Sequence, residues 1–347
     1  MSTAGSNPEY VIARVKARKN ALYSEEDYRK LLRMGPDEIT RFMEESDYET
    51  EINALGSRHS GVDLIEYALN QNLARQFNDL LEWANGRLYE LIARYLRKFD
   101  AWNVKTAMRG IYSTTPQQKI ADDFIRAGEL NEPVLERLTE AASIEEVVEL
   151  LEDTMFEEGL RDAYSDFEDT GVLVPLENAV DRAYYENLRG DLGGSESTAQ
   201  YREFLDAEID FRNLRNALRL AQSGADIDPA AYYIQGGSLF SEAQLAALVQ
   251  DRDELVSVIR ESKYGVELSQ ALDELEAADS LIQFERALDI VLLSYSDTLG
   301  TVYPLSITPV VSYILAKERE VENIRAIGRA REAGLSESEI ETEVIAI

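Results

Sequence analysis

The chain spells one helix three times. Residues 100–109 read DAWNVKTAMR, residues 210–219 DFRNLRNALR and residues 320–329 EVENIRAIGR, so an acid, an Asn three places on, an aliphatic, a basic residue and a final Arg recur at steps of 110 and again 110. In a chain of 347 residues that period is nearly a third of the length. Self-similarity on this scale marks a fold assembled from repeated units that bury their apolar faces against one another.

Two further blocks keep the same order. Ile65-Glu66-Tyr67-Ala68-Leu69-Asn70 matches Leu176-Glu177-Asn178-Ala179-Val180-Asp181 and Phe284-Glu285-Arg286-Ala287-Leu288-Asp289, and each copy precedes its acid-x-x-Asn helix by nearly the same interval. Phe124-Ile125-Arg126-Ala127-Gly128-Glu129-Leu130 returns one period later as Tyr233-Ile234-Gln235-Gly236-Gly237-Ser238-Leu239. The ends resemble each other too, because Ala17-Arg18-Lys19-Asn20-Ala21-Leu22 lines up with Ala330-Arg331-Glu332-Ala333-Gly334-Leu335. The pattern suits a closed three-fold arrangement and equally an open solenoid of three large units.

Apolar residues at three- and four-residue spacing run through VDLIEYALNQNLARQFNDLLEWANGRLYELIARYLRKF and SIEEVVELLEDTMFEEGLRDAY, whereas strand alternation is scarce. Ser24, Ser143 and Ser241 stand as helix N-caps with acids in the first turn. Breaks are predicted at residues 113–116, 189–196 and 223–229, where Gly, Pro, Ser and acids cluster. The reading is an all-α protein of three similar units, residues 9–116, 117–228 and 229–340.

Within the motif, Lys105 and Arg109, Arg215 and Arg219, and Arg325 and Arg329 each set two positive charges one helical turn apart, an arrangement that is unfavourable in isolation. Repeating it three times in a chain poor in basic residues implies that each pair meets acid. The nearest repeated acid is Glu66, Glu177 or Glu285. The expectation is a partly buried Glu–Arg contact inside each unit, with Glu177 near Arg219 or Arg215, that sets structural registry. Asn103, Asn213 and Asn323 are expected to tie down a neighbouring backbone. Losing one member of such a pair would cost about 3–5 kcal/mol, because the partner charge is stranded.

No catalytic or cofactor-binding constellation is present. No phosphate-cradling G-x-x-x-x-G-K-[ST] occurs, and GDLGGSES has glycines without the lysine, which suits a solvated linker. His59 is the lone histidine and there is no cysteine, so neither a metal site nor a disulfide is expected. The longest uncharged apolar run, YPLSITPVVSYILA, is too short to span a membrane and is interrupted by prolines, and the N-terminal residues show no leader pattern.

These residues resemble a known family: the [DE]-x-x-N-[VIL]-[KR] helix, the G-x-L turns and YPLSITPVVSYILAKEREVENIRAIGRA are similar to the C subunit of the archaeal A-type ATP synthase, related to the d subunit of the vacuolar ATPase. The resemblance covers essentially the whole chain. It implies a three-fold pseudo-symmetric helical funnel, a non-catalytic rotor subunit of the central stalk. Its partners would be the membrane proteolipid ring and the central shaft, at the cytoplasmic face of the membrane during proton- or sodium-driven ATP synthesis. The family motif falls on Asp100, Asn103, Lys105 and Arg109, on Asp210, Asn213, Arg215 and Arg219, and on Glu320, Asn323, Arg325 and Arg329. The third copy departs in having Gly328 where Met108 and Leu218 stand, which predicts looser packing there. The competing reading is a free-standing acidic scaffold or chaperone. The C-terminal LSESEIETEVIAI has Ile340, Val344, Ile345 and Ile347 spaced for one helical face, with Glu337, Glu339, Glu341 and Glu343 around it, and it suits either a docking element or the closing helix of the third unit.

The charge is strongly one-sided. The chain has 66 acidic and 35 basic residues, for a net charge of −31. Self-repulsion on this scale opposes compaction in dilute buffer. In molar salt the Debye length falls to about 3 Å and a carboxylate surface becomes tolerable. The composition is that of a protein from a salt-rich cytoplasm such as a haloarchaeon's, and it leaves no basic surface for nucleic acid or anionic lipid. The melting temperature should therefore rise from dilute buffer to molar KCl in a calorimetric scan. A flat or falling series would contradict the halophile reading.

Overall fold

Ser24, Ser143 and Ser241 cap helices as their sequence context requires. Each hydroxyl accepts the backbone N–H three residues on, from Asp27, Glu146 and Gln244, and the side chains of Asp27 and Gln244 return the bond to the cap's own N–H. Asn131 and Asp251 do the same for the helices Glu132–Glu140 and Arg252–Glu261. The break at 113–116 ends the helix Lys98–Tyr112, with Thr114 in the left-handed region at φ 54° and Pro116 behind it. The breaks at 189–196 and 223–229 lie largely outside the described residues.

The computed structural model describes residues 5–190, 192, 196–223, 229–278 and 281–341. Among them the regular structure is all α-helical, with one short 3₁₀ turn and no strand. It forms two compact units. The first joins Met1–Ala141 to Pro304–Ile347, and the second is Ala142–Tyr303. The first unit thus draws its segments from both ends of the chain. Its centre is the 25-residue helix Thr308–Glu332, buried on nearly every side, which packs on Gly61–Trp83 and on the N-terminal helix Pro8–Lys19. At this centre Phe77 packs tilted against Phe99 and edge-to-face against Tyr313, and the Tyr313 hydroxyl donates to Gln76 Oε1 at 2.9 Å. In the second unit Glu196–Ser223 packs on Leu281–Val302, and Val174–Arg189 packs on Glu157–Thr170.

Gly328 does not loosen the third motif helix. It is buried, and a Cβ placed on it would lie 3.5 Å from Ile65 Cδ1, an ordinary van der Waals distance. The helices leave room there for a methyl group and little more. At the C-terminus the short helix Glu337–Glu341 buries Ile340 completely, and Glu337 pairs with Arg33 at 3.0 Å. Val344, Ile345, Ile347 and Glu343 lie outside the described residues.

Basic side chains are more fully paired than composition suggests. Arg29–Glu25, Lys30–Glu26 and Arg161–Glu157 are exposed pairs one turn apart on their helices. Such exposed pairs add little and weaken in salt. With 66 acids against 35 bases they neutralise only part of the surface, so the direction of the salt dependence stands. No helix among the described residues is long and apolar enough to cross a membrane, and no cluster of three His or acidic ligands among them is arranged to hold a metal.

Candidate functional site: carboxylate clamps and arginine pairs

An acid and an Asn three residues apart share one face of a helix. In the first copy that face meets the loop 123–131. Asn103 Nδ2 donates to the Ile125 carbonyl at 2.8 Å, and the Ile125 N–H donates to Asn103 Oδ1 at 2.8 Å, so the side-chain amide pairs with a backbone amide much as two strands would. One turn back, Asp100 accepts the N–H groups of Glu129 and Leu130 at 2.8 and 3.0 Å. The second copy repeats the construction one period on. Asn213 exchanges bonds of 2.8 and 2.9 Å with Ile234, and Asp210 accepts from the N–H groups of Ser238 and Leu239, both at 2.8 Å. Ile125 and Ile234 are the same position of the third sequence block.

Burying a carboxylate costs several kcal/mol unless donors surround it. Asp210, 1% exposed, also takes the Ser238 and Tyr264 hydroxyls, both at 3.0 Å, with Lys263 Nζ at 3.9 Å. Among the described residues Asp100 has backbone donors only. Burial pushes its carboxyl up to about 6, with the two N–H bonds working in the opposite direction. Glycine makes both approaches possible, since a Cβ on Gly128 or Gly237 would collide with the carboxylate of Asp100 or Asp210.

The third clamp is completed from the other end of the chain. Glu320, one methylene longer than Asp, accepts the Tyr23 N–H at 2.6 Å. Its other oxygen takes the Tyr48 hydroxyl at 2.7 Å and Lys317 Nζ at 2.6 Å, while Lys317 also donates to the Tyr48 oxygen at 2.9 Å and lies over its ring. Lys317, Glu320 and Tyr48 are each 1% exposed. Burial, with the Glu320 charge beside it, holds the Tyr48 hydroxyl well above its ordinary pKa. A tyrosine hydroxyl and a lysine therefore flank the acid in the second and third clamps alike. Asn323 is buried in the same region, 3% exposed.

The arginines of the second and third copies do not pair inside their own repeat as the sequence suggested. Arg219 forms a bidentate pair with Glu285, at 2.6 and 2.7 Å, and Arg215 meets Asp289 at 2.7 Å, so the second copy reaches the third. Arg329 forms a bidentate pair with Glu66, and Arg325 donates to Asn70 at 2.7 Å, so the third copy reaches the first. Neither Arg215 nor Arg219 bonds to Glu177. That acid is half-buried near Tyr232, and within the second copy it is Asp181 that meets the motif helix, through Arg212 at 3.5 Å. Lys105 is half-buried and Arg109 exposed. Residues three and four apart share a helical face equally with their own repeat or the next, so spacing could not choose the partner. The pairs are also less buried than expected. The Arg219 and Arg329 side chains are 57% and 61% exposed, which brings each pair down to about 1 kcal/mol.

The sequence did not disclose the roles of Asn70 and Asp289, nor those of Gly128 and Gly237. All four stand at repeated positions, and the signal was their recurrence in the second and third blocks.

The family profile described as ATP synthase (C/AC39) subunit matches residues 11–343. The chain belongs to this family. It is 70% identical to the A-type ATP synthase C subunit of Haloquadratum walsbyi and 67% identical to that of Haloferax volcanii, each across 99% of both chains. It is 34% identical to the A-type ATP synthase C subunit of Methanosarcina mazei, across 99% of this chain and 94% of the relative. The family is one of structural, non-catalytic subunits, which agrees with a site built of clamps and ion pairs. Several of its relatives here are haloarchaeal, in keeping with the acidic surface.

The clamps predict opposite outcomes for three glycines. Gly128→Ala and Gly237→Ala should each lower unfolding stability by about 3 kcal/mol or more, because the loop must leave two hydrogen bonds to a charged group at about 1.5–3 kcal/mol each. Gly328→Ala should be neutral or gain up to about 1 kcal/mol, the usual preference for alanine inside a helix. Chemical denaturation in molar KCl measures all three, and equal effects at the three positions would refute the clamp geometry.

Proposed function

We propose that this chain is a central-stalk rotor subunit of an A-type ATP synthase, joining the membrane proteolipid ring to the central shaft during proton- or sodium-driven ATP synthesis. Its working form would be a funnel of three pseudo-symmetric units, residues 9–116, 117–228 and 229–340, held against the cytoplasmic face of the membrane by protein partners. The curated relatives named above carry the name of an A-type ATP synthase component.

The observation that supports this reading most is the direction of the arginine pairs. The second copy reaches forward to the third through Arg219 and Glu285, and the third reaches the first through Arg329 and Glu66. Wiring in which the last copy engages the first is what a ring of three equivalent parts requires, and an adaptor between a ring and a shaft works best when its own parts are locked around one axis. Glu320 strengthens the closure by holding Tyr23, 297 residues away in the chain. Such an adaptor would carry torque as a rigid body, through complementary shape. Charge would serve at contact range only, since screening in molar salt leaves about 3 Å of reach.

The test is purification from its native membranes. A tagged chain, extracted in mild detergent at high salt, should bring down the ring proteolipid and the shaft proteins in fixed proportion, identified by mass spectrometry. Recovery of the chain alone from the soluble fraction would favour the scaffold reading instead.

A further inference from the structure

The arginine pairs are not equal in charge. Between the second and third copies two arginines face two carboxylates, Glu285 and Asp289. Between the third and first copies Arg329 has Glu66, but Arg325 faces Asn70, which is neutral. Arg325 is part-buried, its only hydrogen bond among the described residues is the one to Asn70, and desolvation lowers its pKa, with Glu66 acting the other way. Glu322 and Asp123 also attract it at longer range, but among the described residues no carboxylate bonds it directly as Asp289 bonds its equivalent, Arg215.

Beside it lies a cavity of about 310 Å³, lined by Arg325, Arg329, Arg109, Glu66, Asp123 and Trp102 among others. At about 30 Å³ per water it has room for a small anion with several waters. The carboxylate of Glu66 is taken by Arg329. That of Asp123 accepts no hydrogen bond from a side chain among the described residues, and burial, followed by the charge of Glu66, raises its pKa. The cavity therefore offers a guanidinium fork open to negative oxygen and a carboxylate open to a proton donor, which attract each other without a hydrogen bond between them. Sulfate meets the first requirement and is repelled by the second. Phosphate, which keeps a proton near neutrality, meets both. Arg forks suit such oxygens because two N–H groups reach them together.

We propose that this cavity binds inorganic phosphate, with Arg325 donating to its unprotonated oxygens and Asp123 accepting from its hydroxyl. The site is independent of the rotor reading, since it rests on residues of the first compact unit alone.

Melting curves of the full chain, at constant ionic strength in molar KCl and neutral pH, test it. Added phosphate should raise the melting temperature saturably by about 2–4 °C, and sulfate should not. In ³¹P NMR the phosphate resonance should broaden with the protein present. Asn70→Asp supplies the carboxylate that Asp289 supplies to Arg215, so it should abolish both responses while itself raising the melting temperature. Asp123→Asn should let sulfate stabilise the protein as phosphate does. An equal response of the unsubstituted chain to the two anions, no response to phosphate, or a phosphate response untouched by Asn70→Asp would each overturn the proposal.

Discussion

A carboxylate buried on the face of a long helix is the interaction on which the rest of this structure depends. Ionised and alone, such a group would cost several kcal/mol. Asp100 and Asp210 each turn that cost into a fixed bond by gathering two backbone N–H groups from a loop that has no secondary structure of its own, and Glu320 by taking one, from Tyr23, beside two side-chain donors. The loop gains partners for amides that burial would otherwise strand, and the helix gains a neighbour in one register. In the first two copies Asn103 and Asn213 fasten the same loops a second time, which makes the acid-x-x-Asn pair a single device.

The three clamps show how the device tolerates change. Asp100 and Asp210 approach so closely that the opposing residue has to be glycine. Glu320 meets a segment that contains no such glycine and reaches it with a longer side chain, recruiting Lys317 and Tyr48 to satisfy its second oxygen. The segment it holds belongs to the chain's beginning. The first residues supply to the third motif helix a bond of the kind that loops 123–131 and 233–240 supply to the other two. The arginine pairs add less energy, but they set which copy meets which. Among the described pairs, Arg325 breaks the pattern by facing Asn70.

Much of this is legible in the sequence. The period, the helical class, the three serine caps and the break at 113–116 follow from local chemistry, which a sequence displays directly. The role of the Asn side chains in holding backbone is also readable at positions 103 and 213, because a polar side chain repeated on an otherwise apolar helix face must find a partner. Partner choice is not readable. Glu66, Glu177 and Glu285 are each as compatible with one repeat's arginines as with another's, and only the path of the chain decides. The repeat also overstates burial, since the side chains of Arg219 and Arg329 are more than half exposed. The glycines that admit the carboxylates look like turn residues because nothing in their own neighbourhood announces a side chain arriving from the preceding motif helix.

Hydrogen exchange at the clamped loops tests the central claim most directly. The amides of Ile125, Glu129, Leu130, Ile234, Ser238, Leu239 and Tyr23 lie outside helices, yet each donates to a clamp side chain. They should exchange as slowly as the amides of the central helices Gly61–Trp83 and Thr308–Glu332. In Asp100→Asn the protection of Glu129 and Leu130 should fall while Ser238 and Leu239 stay slow. Exchange of all seven at the rate of exposed loop amides would contradict the account, because the carboxylates would then be holding nothing.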